Sequence, residues 1–442
     1  MNSVRTTIYA AGIALGLLAT PPLALAQQDY KPTKENLQAR EAFRDKGFGI
    51  FLHWGLYSTF AQGEWYMTNA NIDHAEYAKA AAGFYPSRFD AAAWVSAIKA
   101  SGAGYLTITS RHHDSFSMWD TKQSDYNIVK ATPFRRDILA ELRDECHKQG
   151  LGFHIYYSIL DWHREDYYPI GRTGRGTGRK SHGSWDTYDA FMNAQLAELV
   201  RDYGAEAIWL DGEWDQDENP GFDWRYDKMY ANIHKINPAC LIGNNHHSAP
   251  HQGEDFQMFE RDVPGANTAG LSGQDISKLP LETCQTMNGM WGYKIIDQNY
   301  KSDTTLIRLL VQTAGRNANL LLNIGPEPSG ALPALALDRL AKIGSWMKVY
   351  GKTVKDGVRE GLLPPQEWGV TTQRGKTLYL HILDWKSRML SLPLTDRVQR
   401  VVSFDTQRPI PYTQTKAGLT LTFDKAPHEL NAIDYIVEVT LK

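Results

Sequence analysis

The sequence predicts an α/β fold: a (β/α)8-like (TIM) barrel with an irregular fifth and sixth unit, followed by a C-terminal antiparallel β-sandwich. Three observations predict it. About eight short apolar, β-rich runs recur between residues 48 and 325. Helix-period segments separate many of them, which implies parallel βαβ units. Beyond residue 352 the pattern changes to short alternating segments divided by turn residues, as expected for antiparallel strands.

The strand candidates, in order, are 48–55 (FGIFLHWG), 105–110 (YLTITS), 153–158 (FHIYYS), 207–212 (AIWLDG), 240–245 (CLIGNN), 255–260 (DFQMFE), 280–285 (PLETCQ) and 319–325 (NLLLNIG). They lack strict alternation, which fits parallel strands covered on both faces. Helical stretches at 90–102, 136–150 and 188–204 end at or near glycine, and the first begins at an aspartate able to cap it. A helix pattern at 331–351 closes this region. The fifth and sixth units are weakly marked. An open doubly wound sheet is disfavoured, because no glycine-rich phosphate fingerprint follows the first strand. The later candidates are 377–383, 388–394, 399–404, 419–423 and 435–441. The expected division is a signal peptide at 1–26, a barrel at 27–351 and a β-domain at 352–442.

At the N-terminus, Arg5 precedes an apolar run at 8–18, and Ala24-Leu25-Ala26 forms a small-x-small cleavage site before Gln27. That is the pattern of a bacterial export signal, too short to span a bilayer comfortably. A periplasmic or secreted protein is expected, with no membrane span once the signal is removed. The net charge of −3 over 442 residues argues against nucleic acid as a partner. Three widely spaced cysteines, Cys146, Cys240 and Cys284, build no disulfide framework and have no metal-ligand spacing. The loop at 171–183 (GRTGRGTGRKSHG) reads as a solvated active-site loop in preference to a polyanion site.

The informative feature is what stands at the C-terminal strand ends, which share one face in a barrel. These ends carry His53-Trp54-Gly55, Arg111-His112-His113-Asp114, Tyr156-Tyr157-Ser158, Trp209-Leu210-Asp211 and Asn244-Asn245-His246-His247. The loop after the first strand adds Glu64-Trp65, and the later segments add Glu254, Glu260, Glu282 and Trp291. Imidazoles, amides, a few acids and aromatic rings converging on one mouth suit a polyhydroxylated ligand. In a continuing strand His112 and His113 would point to opposite faces and could not share an ion. No H-E-x-x-H and no G-x-S-x-G is present, so neither a metal nor a serine nucleophile is expected. Two carboxylates in such a mouth can cleave a glycosidic bond, one attacking and one protonating. Asp211 is the best nucleophile candidate, at the end of a buried strand with Gly212 beside it; a loop-capping role is the alternative.

At these residues the chain resembles the α-L-fucosidases of glycoside hydrolase family 29. The matching stretches are FGIFLHWGLYS…GEWY (48–66), RHHDSFSMWDTKQSDYN (111–127), YYSILDWH (156–163), AIWLDGEWD (207–215), LETCQTMNGMWGY (281–293) and NLLLNIGP (319–326). The resemblance implies an exo-acting retaining hydrolase of terminal α-L-fucosyl linkages on glycans or glycoconjugates, with no cofactor and no metal. It implies Asp211 as nucleophile and sugar contacts from His53, Glu64, Trp65, His112, His113, Tyr156 and Trp209, with Trp291 beside the C5 methyl group. For the acid/base it implies Glu282, with Glu260 as the alternative. The sugar-binding arginine of the family has no counterpart after the fifth strand, where His246 is the expected substitute. A catalytically silent fucose-binding protein, or a retaining hydrolase for a C5-related sugar such as α-L-galactose, stands as the alternative.

Overall fold

The computed structural model describes residues 30–442, so the expected signal peptide lies outside the described residues. Eight parallel strands form one sheet: β1 (Phe48–Leu52), β2 (Tyr105–Arg111), β3 (Gly152–Ser158), β4 (Ala207–Asp211), β5 (Leu241–Asn245), β6 (Gln257–Glu260), β7 (Leu281–Thr286) and β8 (Ala318–Ile324). Each coincides with one expected run. Their order is β5-β4-β3-β2-β1-β8-β7-β6. The pairing of β1 with β8 curls the sheet into a barrel. Among the described residues, no ladder joins β5 to β6, and the barrel carries a seam there.

The seam falls where the sequence pattern is weak, and the structure supplies the reason. Helices follow β1 to β4, β7 and β8, whereas the chain from β5 to β6 and from β6 to β7 holds none. Without a crossover helix to cover them, β5 and β6 are tied locally instead. The Ile242 amide donates to Asp255 Oδ2 (2.8 Å), and the Asp255 amide returns to the Ile242 carbonyl (2.7 Å). Buried Asp255 also accepts from Arg40 Nη2 (2.7 Å), which fixes the opening helix Lys34–Lys46 across the foot of the seam.

The expected helices form as Ala91–Ala100, Ile138–Gln149, Trp185–Arg201 and Ala334–Tyr350. The Asp90 and Asp137 side chains accept from the Ala93 and Ala140 amides, satisfying N–H groups that have no partner in the first turn. Gly150, at φ 72°, closes the second helix in the left-handed region, a conformation that costs glycine least. The outer faces of the strands and the inner faces of these helices share one apolar core, including Ile50, Leu106, Ile155, Ile208, Ile242 and Leu322. Fully burying such side chains is worth about 1.5–3 kcal/mol each.

The C-terminal region contains a five-stranded antiparallel sheet and a three-stranded one. The former runs Val398–Ser403, Tyr435–Leu441, Thr377–Ile382, Gly369–Arg374 and Arg359–Glu360; the latter runs Met389–Leu392, Gly418–Thr422 and Tyr412–Thr415. Leu378, Leu380, Leu390, Leu421, Val437 and Val439 fill a core of their own between the sheets.

Candidate active site

The strand tips surround a cavity of about 220 Å³, smaller than the ~300–1,000 Å³ typical for drug-sized ligands and suited to a single sugar ring. Its floor is aromatic. Phe51, two residues before His53 on the same face of β1, packs against Trp209 (5.2 Å between ring centroids) and Tyr156 (5.9 Å). Higher in the wall, Trp65 stacks on Trp214 (5.6 Å, 21° between planes), and Trp291 leans on His53 (5.2 Å).

The histidines present acceptors to the cavity. His53 Nδ1–H donates to Asn323 Oδ1 (2.7 Å), whose amide nitrogen is in turn committed to the Trp291 carbonyl (2.7 Å). The His53 Nε2 lone pair is left for a ligand. Burial holds this ring down at about 3, so it stays neutral at physiological pH. His113 repeats the arrangement. Ser158 Oγ donates to the Leu160 carbonyl (2.7 Å) and accepts from His113 Nδ1 (2.7 Å). Burial drives His112 and His113 well below the usual histidine range. Both line the cavity, with ring centroids 4.1 Å apart, which corrects the opposite-face expectation. The strand stops at Arg111, with a register shift just before it, so alternation no longer applies.

Asp211, at the tip of β4, is mostly buried. Oδ2 accepts from the Tyr156 hydroxyl (2.8 Å) and lies 3.7 Å from His113 Nε2. Oδ1 faces Trp214 Nε1 and Asn245 Nδ2, each at 3.4 Å. Burial, then the charge of Glu260, pushes the Asp211 carboxyl up to about 6. The next residue, Gly212, has φ 117°, a backbone state that side chains oppose; it turns the chain away and leaves the carboxylate exposed to the cavity.

Glu260 ends β6 and also lines the cavity. Its Oε2 accepts from Asn245 Nδ2 (2.9 Å) and His247 Nε2 (3.0 Å). The single amide of Asn245 thus touches both Asp211 and Glu260. Their nearest oxygens lie no farther apart than those two contacts combined, which is shorter than the ~6.5–9.5 Å that inverting glycosidases leave for a water. Glu64 reaches the cavity from the loop after β1, fixed by the Gly292 amide donating to Oε2 (2.7 Å). Burial raises its carboxyl above the ordinary range.

A family profile described as Alpha-L-fucosidase matches residues 17–352. This chain belongs to the alpha-L-fucosidase family. Among solved structures it is similar to alpha-L-fucosidase isoenzyme 1 from Paenibacillus thiaminolyticus, with 31% identity and a TM-score of 0.80 over 92% of this chain and 100% of that one. It is 26% identical to an alpha-L-fucosidase of Dictyostelium discoideum over 94% of this chain and 96% of the relative. It is 27% identical to the plasma alpha-L-fucosidase of Rattus norvegicus over 84% of each.

Of the residues expected in this fucosidase-family site, the structure brings Asp211, Glu260, His53, Glu64, Trp65, His112, His113, Tyr156, Trp209 and Trp291 to the cavity. Glu282 and His246 do not line it. The register pairs Glu282 with Met258 and Cys284 with Glu260, so Glu282 points into the barrel one layer below the strand tips. There it accepts from the Tyr105 hydroxyl and from Trp209 Nε1 (2.9 Å), and burial lifts it to about 7. It supports the cavity floor by holding Trp209.

His246 lies behind the wall. The Ser248 amide donates to its Nδ1 (3.1 Å), so the ring proton sits on Nε2, which donates to Glu254 Oε1 (2.9 Å). His246, His251 and Glu254 are close enough together to hold a metal ion, but these bonds leave His246 no free lone pair. The donor set therefore fits a hydrogen-bonded strut between loops and not a ligand cage.

Sequence reasoning missed Phe51, Arg172 and Leu271 as wall residues; it placed Trp214 beside Asp211 and Asn245 and His247 at a strand end without assigning them a contact, and all six line the cavity. Phe51 was readable from its two-residue spacing to His53. Arg172 comes from the glycine- and arginine-rich loop, its guanidinium 5.1 Å from the Trp214 ring. The other arginines and the lysine of that loop have partners. Arg175 pairs with Glu218, Lys180 with Glu165, and Arg179 is buried against Tyr167, which leaves little field for a polyanion.

Proposed function

We propose that this glycoside hydrolase of the alpha-L-fucosidase family removes terminal α-L-fucose from glycans with retention, using Asp211 as nucleophile and Glu260, in place of the expected Glu282, as acid/base. The observation that carries the assignment is the shared contact of Asn245 with both carboxylates at the cavity mouth, while Glu282 lies sealed beneath the floor.

In the first step an Asp211 oxygen bonds to the anomeric carbon as the glycosidic C–O bond breaks, its electron pair leaving with the oxygen that Glu260 protonates. In the second, Glu260 takes a proton from water, the water oxygen bonds to the anomeric carbon, and Asp211 is released. The neutral His53 and His113 accept from sugar hydroxyls, His112, Glu64, Trp65 and Tyr156 complete the hydroxyl-binding wall, and Trp209 and Trp291 pack on apolar faces, the latter at the C5 methyl group. The 220 Å³ cavity supports exo action on a single terminal residue. The 1–26 segment supports export to the periplasm or beyond, and the change of pattern near residue 352 supports a separate C-terminal β-domain.

Azide separates the two glutamates. Glu260→Ala should lose about 10²–10⁴-fold on a poor-leaving-group fucoside and yield a β-fucosyl azide when azide is added. Glu282→Ala should show no azide rescue. Rescue of the Glu282 variant alone would reverse the assignment.

A further inference from the structure

His247 lines the cavity beside Glu260, yet neither the strand-tip pattern nor the mechanism above gives it a task. Its backbone is in the left-handed region at φ 59°, a state that is costly for a non-glycine residue and persists where the surroundings impose it. That conformation delivers the ring to Glu260, with Nε2 3.0 Å from Oε2.

Two donors, His247 and Asn245, converge on the same oxygen. Oε1 is left with Arg261 Nε, at 4.0 Å, as its nearest charged neighbour. The carboxyl is thereby clamped by one oxygen while no described residue hydrogen-bonds the other, the arrangement a proton donor to a leaving group needs.

Resting on the reading of Glu260 as acid/base, we propose that His247 is its positioning residue: it holds Oε2, presents Oε1 to the leaving oxygen, and shares with Glu260 the proton that the donor must retain.

The electrostatic surroundings agree. Against the effect of burial, the bond to Glu260 raises the His247 imidazole. Glu260 is lowered, also against burial, by His247 and Asn245. The other charged groups facing the pair are Asp211 from β4, which favours the imidazolium, and Arg172 from the loop after β3, which opposes it; Arg261 also lowers Glu260. A proton that can rest on either of two sites is harder to remove than one held by a single site. The alkaline limb of activity therefore reports the pair.

Two variants divide positioning from charge. His247→Ala should lose at least about tenfold more kcat/KM on a poor-leaving-group fucoside than on an activated aryl fucoside, and its alkaline limb should move to lower pH. His247→Gln keeps a donor, so it should recover most of the leaving-group selectivity while the limb stays displaced. Equal losses on both substrates with an unmoved limb would reduce His247 to a packing role and overturn the proposal. Glu260→Ala with azide is run alongside. If that variant gives no β-fucosyl azide, the acid/base reading beneath the proposal is what fails, whichever way the His247 variants behave.

Discussion

Asp211 is a carboxylate held at about 6, roughly two pH steps above its ordinary value. In the proposed role of nucleophile Asp211 must be ionised, so kcat/KM should fall as pH drops through about 6. The same displacement has a thermodynamic sign. Between the ordinary aspartate value and about 6 the folded chain binds a proton that the unfolded chain has released, so Asp211 makes stability fall as pH rises through that window. Asp211→Asn should therefore abolish turnover and raise stability at pH 7, by at most about 3 kcal/mol, the gain shrinking towards pH 4. Thermal midpoints of the two proteins at both pH values check it; a lower midpoint for the variant at pH 7 would contradict it. The place of Asp211 at the cavity was legible in the sequence because it ends an apolar run next to a glycine. The choice between Glu260 and Glu282 was not, because it depends on the register of β6 against β7, and one chain does not reveal how far two strands are offset. His246 and His247 posed the same problem at a strand end, where alternation stops.

At the scale of elements, the C-terminal sheet carries a buried pair that the strand pattern gave no hint of. His381 Nδ1 meets Asp434 Oδ2 at 2.7 Å, and its Nε2 meets Thr372 Oγ1 at 3.0 Å. Thr372 Oγ1 donates to the Thr353 carbonyl at 2.7 Å, just beyond the long helix Ala334–Tyr350. The chain of bonds ties the sheet to that helix. His381→Ala should cost about 3–5 kcal/mol, because it leaves a buried partner unmatched, and denaturant unfolding would measure it. Gly212→Ala should also destabilise, by about 1 kcal/mol or more, through its positive φ, and should reduce activity by moving Asp211. The missed helices have physical explanations of different kinds. Lys34–Lys46 buries only Asn36 and Phe43, too few positions to print a period. Tyr226–Ile236 begins at Arg225 without a side-chain cap. Asp303–Ala314 does have one, Ser302 Oγ accepting from the Thr305 amide, and could have been read.

For the molecule as a whole, the strands were legible because both faces of a parallel sheet are covered, and covered strands leave unbroken apolar runs. The missing ladder between β5 and β6 was visible only as a weakness of pattern. In hydrogen exchange, amides of β5 and β6 should exchange faster than those of β1, β2 and β8, because each has a hydrogen-bonded neighbour on one side only. Equal protection around the barrel would contradict this.

The gap between β5 and β6 also has a thermal consequence. Asn245 and His247 stand on one bank, and Glu260, which they grip, stands on the other. Warming that parts the banks would release Glu260, the proposed proton donor, while the paired strands of the barrel remained intact. Heated enzyme should fade first on sluggish natural glycosides, then on activated dyes, and only later lose its far-ultraviolet dichroism.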